Sequence, residues 1–287
     1  MSVRRKPFAG SVSSILSAGL VVTVGACGPG GPPSPDGGLS FQLPASSTAT
    51  YTAGDSLVIS VDSPMGSLTM NMDSDMTLDM MFEQADGGVR VTATVAAFDA
   101  SMNNPMTGRL SVDETNVDGP LVFVVGPDGD VTVATVPAVT GGAEQLRPFL
   151  SLPYELFPRF PRGAVAVGSQ WVDTVAWSGS PDEGSFASTT AYTYTLQGDT
   201  AIAGTTLLRI AVAGETSLEG SMETGGFAIE QSLAGTTTGF YLWDPAAGLL
   251  HSAELNRSLE GSLRMPSMNL PAMPIRAEGP LRTRIQP

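Results

Sequence analysis

Side chains able to carry out catalysis are scarce in this chain. Its 287 residues include one histidine, His251, and one cysteine, Cys27. A Ser/His/Asp triad would have to use His251, and no Gly-x-Ser-x-Gly segment is present to display a nucleophilic serine. A histidine within a strand is more often structural than catalytic. We therefore predict a non-enzymatic protein with no catalytic residues.

Sequence motifs that could bind a metal ion are also incomplete. Asp73, Asp75 and Asp79 alternate along one segment, but no complete Asp-x-Asp-x-Asp-Gly calcium loop accompanies them. Methionine thioethers bind copper in some proteins, and five methionines lie in the same segment. Four of these five share one apolar face, a distribution that burial predicts and chelation does not. We predict neither a metal nor another cofactor. The five methionines are Met70, Met72, Met76, Met80 and Met81.

The same apolar face is a candidate ligand-binding surface. Methionine is unbranched and adaptable, so it suits a surface that must accommodate variable apolar shapes. Arg257 occupies an apolar position in the Leu249–Met265 segment, where it would meet a ligand head group or pair with a buried acid. The pattern leaves open whether the face lines a cavity or fills a core. The candidate ligand-binding residues are Met70, Met72, Met76, Met80, Phe82 and Arg257.

The elements that would position these residues are strands. Apolar and polar residues alternate along Ser67–Glu83 and again along Leu249–Met265, which is the period of a strand with one buried face. The first alternation is so long that its strand must bend or break near Ser74. Further strands are predicted at Val89–Phe98, Leu121–Val125, Val131–Val136, Ala191–Leu196, Thr206–Val212, Gly226–Leu233 and Gly239–Trp243.

These patterns predict a mainly β fold with one long, curved antiparallel sheet, either a half-barrel or an open barrel. Two similar strand–turn–strand units, around the turns GPDGD and DPAAG, suggest two related halves at about 45–139 and 163–287. A proline-rich connector, 140–162, joins them and includes a short helix predicted within Gly142–Leu152. Its many apolar residues indicate that it packs over the sheet. We assign 45–287 to a single β domain.

The N-terminal region has the layout of an export signal. Arg4, Arg5 and Lys6 precede an uncharged segment, Phe8–Val24. The four residues VGAC at Val24–Cys27 resemble the bacterial lipobox, in which a lipid-bearing cysteine follows an apolar and two small residues. The resemblance implies that 1–26 is a lipoprotein signal peptide, that cleavage precedes Cys27, and that its sulfur is diacylated.

The residues after Cys27 are predicted to form a tether. Glycine, proline and serine dominate 27–44, a composition that cannot bury a core. In the lipoprotein class, an aspartate after the cysteine often marks retention at the inner membrane. Here Gly28 follows, which implies an outer-membrane location on the periplasmic or surface side. The net charge of −14 makes nucleic acid an improbable partner, since phosphate binding needs clustered cations.

In architecture alone, the expected fold resembles half-barrel lipoprotein carriers, which shelter a lipid between sheet and helices. The resemblance implies a membrane-anchored lipoprotein that binds a lipid or another apolar ligand. The alternative from another class is a structural or interaction protein of the cell envelope with a filled core and no small ligand. A cavity behind the methionine face would distinguish the two.

Overall fold

The structure of the protein is a computed structural model. Its described residues are 39–64, 66–105, 108–140, 148–180, 184–224, 227–268 and 270–286. The signal peptide, Cys27 and the first part of the predicted tether lie outside these ranges. The packed chain already includes Leu39 and Phe41, which are buried in the core although the composition places them in the tether.

Strands dominate the domain. Those of the first half are β1 Thr48–Ser63, β2 Gly66–Ala85, β3 Gly88–Asn104, β4 Gly108–Asp113, β5 Val117–Asp118, β6 Leu121–Val125, β7 Val131–Thr135 and β8 Ala138–Val139. Those of the second half are β9 Gln170–Gly179, β10 Gly184–Ile202, β11 Thr205–Thr224, β12 Phe227–Asp244, β13 Leu249–Arg264 and β14 Met273–Ile285. One short helix, α1 Leu152–Glu155, lies between the halves.

The main sheet is antiparallel, in the order β7-β6-β3-β2-β1-β14-β13-β12-β11-β10-β9, with β4 added beside β3. The first and last strands are therefore neighbours in the middle of the sheet, and the two edges are β7 and β9. Helix α1 contacts both of these edge strands. A sheet whose two edges reach the same short helix must be strongly curled, so the predicted half-barrel with a connecting segment is confirmed.

The alternation in β2 explains how the sheet obtains its inner face. Met76, Leu78, Met80 and Phe82 are buried while the residues between them point outward. The strand runs unbroken through Ser74, and its partner β3 takes up a register shift opposite Thr77 and Leu78. Such a bulge increases local twist and bends the strand pair. The long strand therefore bends rather than breaks, which is one of the two outcomes that its length predicts.

The connector fills one end of the curved sheet, which we call the plugged end. The rings and side chains of Phe149, Leu152, Leu156, Phe157 and Phe160 are all buried there. They join the larger apolar cluster of the domain, together with residues from both halves of the sheet. The N-terminal segment completes the plug, because the ring of Phe41 lies 4.9 Å from that of Phe157 and 5.8 Å from that of Trp243.

A second apolar cluster occupies the other end of the same face, which we call the open end. Among the described residues, its members come from strands of the sheet and from Met265, and none comes from the connector. Its buried members are Val61, Leu233, Leu259, Leu263, Met273, Ile275 and Ala277, and its partly exposed members are Leu57, Ile59, Met70, Leu218, Ile229 and Met265.

Several strand predictions need correction. The predicted segments 226–233 and 239–243 belong to one strand, β12, apart from residue 226, which lies outside the described residues. The strand continues through Gly235 and Gly239, where the neighbouring backbone approaches too closely for a Cβ. Strands β1, β4, β5, β8, β9 and β14 were not predicted. Of the helix expected at Gly142–Leu152, residues 141–147 lie outside the described chain, Pro148–Leu150 form a 3-10 turn, and α1 follows.

The two similar turns occupy different places in the sheet. GPDGD joins β6 to β7 at one edge, whereas DPAAG joins β12 to β13 in the interior. The internal duplication stays a hypothesis. Within the described residues, no helix is long and apolar enough to cross a membrane.

Candidate functional site

Charged and hydroxyl side chains interrupt the apolar inner face between the plugged and open ends. Their placement follows from register: Tyr192, Gly214, Thr237, Arg257 and Gly279 lie side by side on the five strands β10 to β14. The two glycines carry no side chains, so the longer polar groups can lie flat across the sheet. An added Cβ at Gly214 would lie 2.6 Å from the Tyr192 ring.

Arg257 pairs with an acid two strands away. Its Nη2 donates a hydrogen bond to Oδ1 of Asp55 on β1, reaching past Gly279 on β14. Both side chains are enclosed, with 17% and 18% of their surfaces exposed. The Nε of Arg257 is buried and has no hydrogen-bond partner among the described residues. This guanidinium thus has a neutralised charge and an unsatisfied donor.

A second carboxyl approaches the pair from the connector. Glu155, at the end of α1, is close enough to interact electrostatically with Arg257 and Asp55. Burial raises the pKa of the Glu155 carboxyl, the guanidinium of Arg257 lowers it and Asp55 raises it, and the net direction is upward. Burial alone would lower the pKa of Arg257, but the carboxylates of Asp55 and Glu155 outweigh it and raise that pKa.

Hydroxyl groups extend the polar layer across the sheet. The Oγ1 atoms of Thr190 and Thr216 lie 3.0 Å apart, and those of Thr216 and Thr237 lie 2.9 Å apart. The three threonine hydroxyls therefore form one hydrogen-bonded row. Burial raises the pKa of the Tyr192 hydroxyl, and the neighbouring side chains of Thr190 and Thr237 lower it only in part. We call the whole layer the polar belt, which consists of Asp55, Glu155, Tyr192, Thr190, Thr216, Thr237 and Arg257.

The connector above the belt is held by polar contacts as well as by its apolar side chains. The Tyr241 hydroxyl donates to the Glu155 carbonyl at 3.3 Å, and the Trp171 indole donates to the Arg159 carbonyl at 2.9 Å. Arg159 is itself 4% exposed and its Nη1 lies 2.7 Å from Oδ1 of Asp130. These contacts tie the connector to the β6–β7 turn on one side and to β9 and β12 on the other.

The predicted ligand-binding residues separate along the inner face. Met76, Met80 and Phe82 are buried in the plugged-end cluster, and Met72 packs against that cluster while partly exposed. Met70 belongs to the open end. Arg257 lies between them in the polar belt. Behind Met76, the gap that Asp55, Glu155 and Leu152 help to line measures about 10 Å³, so connector side chains occupy the space at that point.

The acidic residues of β2 lie on the outer face. Asp73, Asp75 and Asp79 are exposed, as the alternation predicts. Asp75 borders an open groove of about 640 Å³ around Gly54, where a Cβ would lie 2.8 Å from its carboxylate oxygen. In the described part of the chain, no three histidine, cysteine, aspartate or glutamate side chains are placed to hold a metal ion. His251 lies on β13, and its buried Nδ1 has no partner there.

Sequence reasoning missed most of the polar belt. Asp55 carried a detectable signal, since it interrupts the apolar positions Tyr51, Ala53, Leu57 and Ile59 of β1 as Arg257 does in β13. Two opposite charges at apolar positions of different strands predict a buried pair. The threonines of β10–β12 had no comparable signal, because threonine is equally common on both faces of a sheet.

Comparison of the chain with protein-family models and with curated proteins finds no match.

Proposed function

We propose that this protein is an exported, non-enzymatic lipoprotein that holds the acyl part of a lipid or similar amphiphile against the open end of its half-barrel. The observation that carries the proposal is the unequal covering of one apolar face. The connector contributes buried side chains to the plugged-end cluster, whereas no connector residue among those described belongs to the open-end cluster, whose outer members stay partly exposed. Concave apolar surfaces with a few polar groups are the usual setting for such ligands.

Methionine and branched apolar side chains around the opening support this ligand class. Met70 and Met265 are adaptable, and Leu218 and Ile229 face the same space from β11 and β12. The polar belt lies at the inner limit of this surface and supplies hydrogen-bonding groups for the polar part of an amphiphile. The bound molecule would lie along the strands, with its acyl chain among the open-end residues.

Anchoring through Cys27 is the second part of the proposal. The lipobox-like VGAC segment supports it, and several acyl chains at about 0.8 kcal/mol per buried methylene give durable attachment. The protein would then reside at the outer membrane, on its periplasmic or surface side, without nucleic-acid partners.

The test is native mass spectrometry of the protein released gently from its own envelope, followed by lipid extraction. We expect a co-purifying amphiphile. The variant Met70→Asp places a charge on the inner face at the open end and should abolish co-purification. Thr69→Asp is the matched control, because Thr69 is the adjacent residue of β2 and is exposed on the outer face.

A protein that carries no lipid and binds no added fatty acid, ester or phospholipid would refute ligand binding. Equal lipid loss in both variants would also refute the assignment of the open end. Circular dichroism of each variant shows whether a loss of bound lipid results from unfolding of the protein.

The second candidate function is a structural or interaction protein of the envelope. The gap of only about 10 Å³ behind Met76 favours it, since that part of the predicted cavity is filled by the connector. This second role would be favoured if the protein carries no lipid and forms stable crosslinked complexes with envelope proteins that can be isolated.

A further inference from the structure

One donor in the polar belt has no acceptor although its charge is already balanced. Arg257 gives its Nη2 hydrogen to Asp55, but its Nε is buried without a partner in the described chain. A buried donor without a partner is unfavourable, because it has given up its hydrogen bonds to water and gained none in return. A bound molecule with a suitable acceptor would remove this cost.

The charges around Arg257 restrict what that acceptor can be. The guanidinium faces Asp55 from β1 and Glu155 from α1, while the groups on β10 and β12 are the neutral hydroxyls of Tyr192 and Thr237. An anionic head group would place a third acidic group beside one cation in a poorly solvated region. A neutral carbonyl oxygen would accept from Nε without adding charge.

We propose that the ligand presents a neutral acyl carbonyl, an ester or an amide, to Nε of Arg257, and that the site disfavours free fatty acids and other anionic heads. The inference rests on the proposed function and defines its ligand class. The ligand would enter from the open end, because Leu57 and Leu259 belong to that end and follow Asp55 and Arg257 along their strands. The Arg257 side chain as a whole keeps 17% of its surface exposed although Nε itself is buried, so the carbonyl reaches Nε only after neighbouring side chains shift.

The experiment is displacement of the neutral fluorophore N-phenylnaphthylamine from the purified protein at mildly alkaline pH. Monoolein and methyl oleate supply the ester carbonyl, and oleate supplies the same chain with a carboxylate. We expect the esters to displace the fluorophore with at least about tenfold lower midpoints than oleate, equivalent to about 1.4 kcal/mol. All ligands are used below their aggregation concentrations.

Two variants assign the preference to the belt. Arg257→Lys keeps a cation for Asp55 but lacks the Nε–H of the guanidinium. The ratio of the oleate midpoint to the ester midpoint should therefore fall to about threefold or less. Arg264→Lys is its control, because Arg264 lies on the same strand and is exposed. Glu155→Gln removes the second acid and should lower the oleate midpoint by about fivefold or more relative to the monoolein midpoint. Glu254→Gln, an exposed acid of β13, is its control.

The outcomes separate the two proposals. If neither esters nor oleate displace the fluorophore, or the fluorophore itself does not bind, the proposed function fails. If oleate binds as well as the esters, or if Glu155→Gln leaves the ratio unchanged, ligand binding stands and the neutral-carbonyl inference is overturned. Should Arg257→Lys fail to fold, the Glu155→Gln ratio alone decides between these results.

Discussion

Removing the charge of Asp55 should destabilise the domain strongly, because the substitution leaves Arg257 enclosed without its counter-ion. Breaking a fully buried ion pair from one side costs about 3–5 kcal/mol. Here the two side chains keep 17% and 18% of their surfaces exposed, so some solvent screening remains. We therefore expect Asp55→Asn to cost about 2–4 kcal/mol, somewhat below the fully buried range.

Urea unfolding followed by tryptophan fluorescence measures this cost. Trp243 is buried at the plugged end and reports the loss of the core. With a dependence of about 3 kcal/mol per molar urea, the midpoint should fall by about 1 M. Asp73→Asn is the matched control, since Asp73 is exposed on the outer face of β2 and should change stability by less than about 0.5 kcal/mol.

Glu155 adds an internal check on this prediction. In Asp55→Asn, Glu155 is the remaining acid that interacts electrostatically with Arg257, and this attraction reduces the cost. The same substitution made in a Glu155→Gln background should therefore be more damaging by about 1 kcal/mol. A cost below about 0.5 kcal/mol in both backgrounds would refute the view that the belt holds a desolvated cation.

Four further predictions concern the belt, the plug and the anchor. Because the pKa of Glu155 is raised, the native protein holds this proton more tightly than the unfolded chain does. The free energy of unfolding should therefore fall as the pH rises above the ordinary carboxyl range. Urea titrations at several pH values measure this slope, and Glu155→Gln should flatten it. Thr237→Val removes a hydroxyl that is 2% exposed and should cost about 1–3 kcal/mol in the same assay, because its neighbours lose their partner. Phe157→Ala should cost about 3–5 kcal/mol in urea unfolding, since the ring is 2% exposed and packs between aromatic neighbours; a milder effect would contradict a close-packed plug. Cys27→Ser should move the protein from the membrane fraction to the soluble fraction and remove the acyl mass from the intact protein, and unchanged fractionation would contradict lipid anchoring.

Much of the fold was predictable because the long strands each bury one face. Period-two alternation identified β2 and β13 with nearly the observed bounds, and the turn residues marked the ends of β6 and β7. The missed strands explain the limit of this reasoning. In β9, the inner positions include Asp173, which is exposed, so an edge strand shows no clean alternation. In β14, two prolines conceal the pattern, although Pro274 and Pro280 are accommodated within the strand.

The candidate site was predictable only where one residue contradicted its own pattern. Arg257 was identified because a cation at an apolar position needs an explanation. Asp55 also interrupts an apolar pattern, but its pairing with Arg257 depends on the strand order, since it lies 202 positions away along the chain. Glu155 sits in a proline-rich segment and interrupts no such pattern. The filling of the plugged end by Phe149 and Phe157 was likewise invisible, since apolar content predicts packing but not which cavity is filled.

The position of the belt also explains why a costly ion pair belongs in this fold. A buried pair seldom adds stability beyond that of well-packed apolar residues, so stability alone gives little reason to keep Asp55 and Arg257. The belt does separate two apolar clusters that otherwise form one continuous inner face. From Arg257 to Leu263 on β13, the open end extends about 20 Å at about 3.3 Å per residue. A polar limit at that depth would stop an acyl chain from competing with the connector for the plugged end, and would align the ligand's polar group at one fixed level.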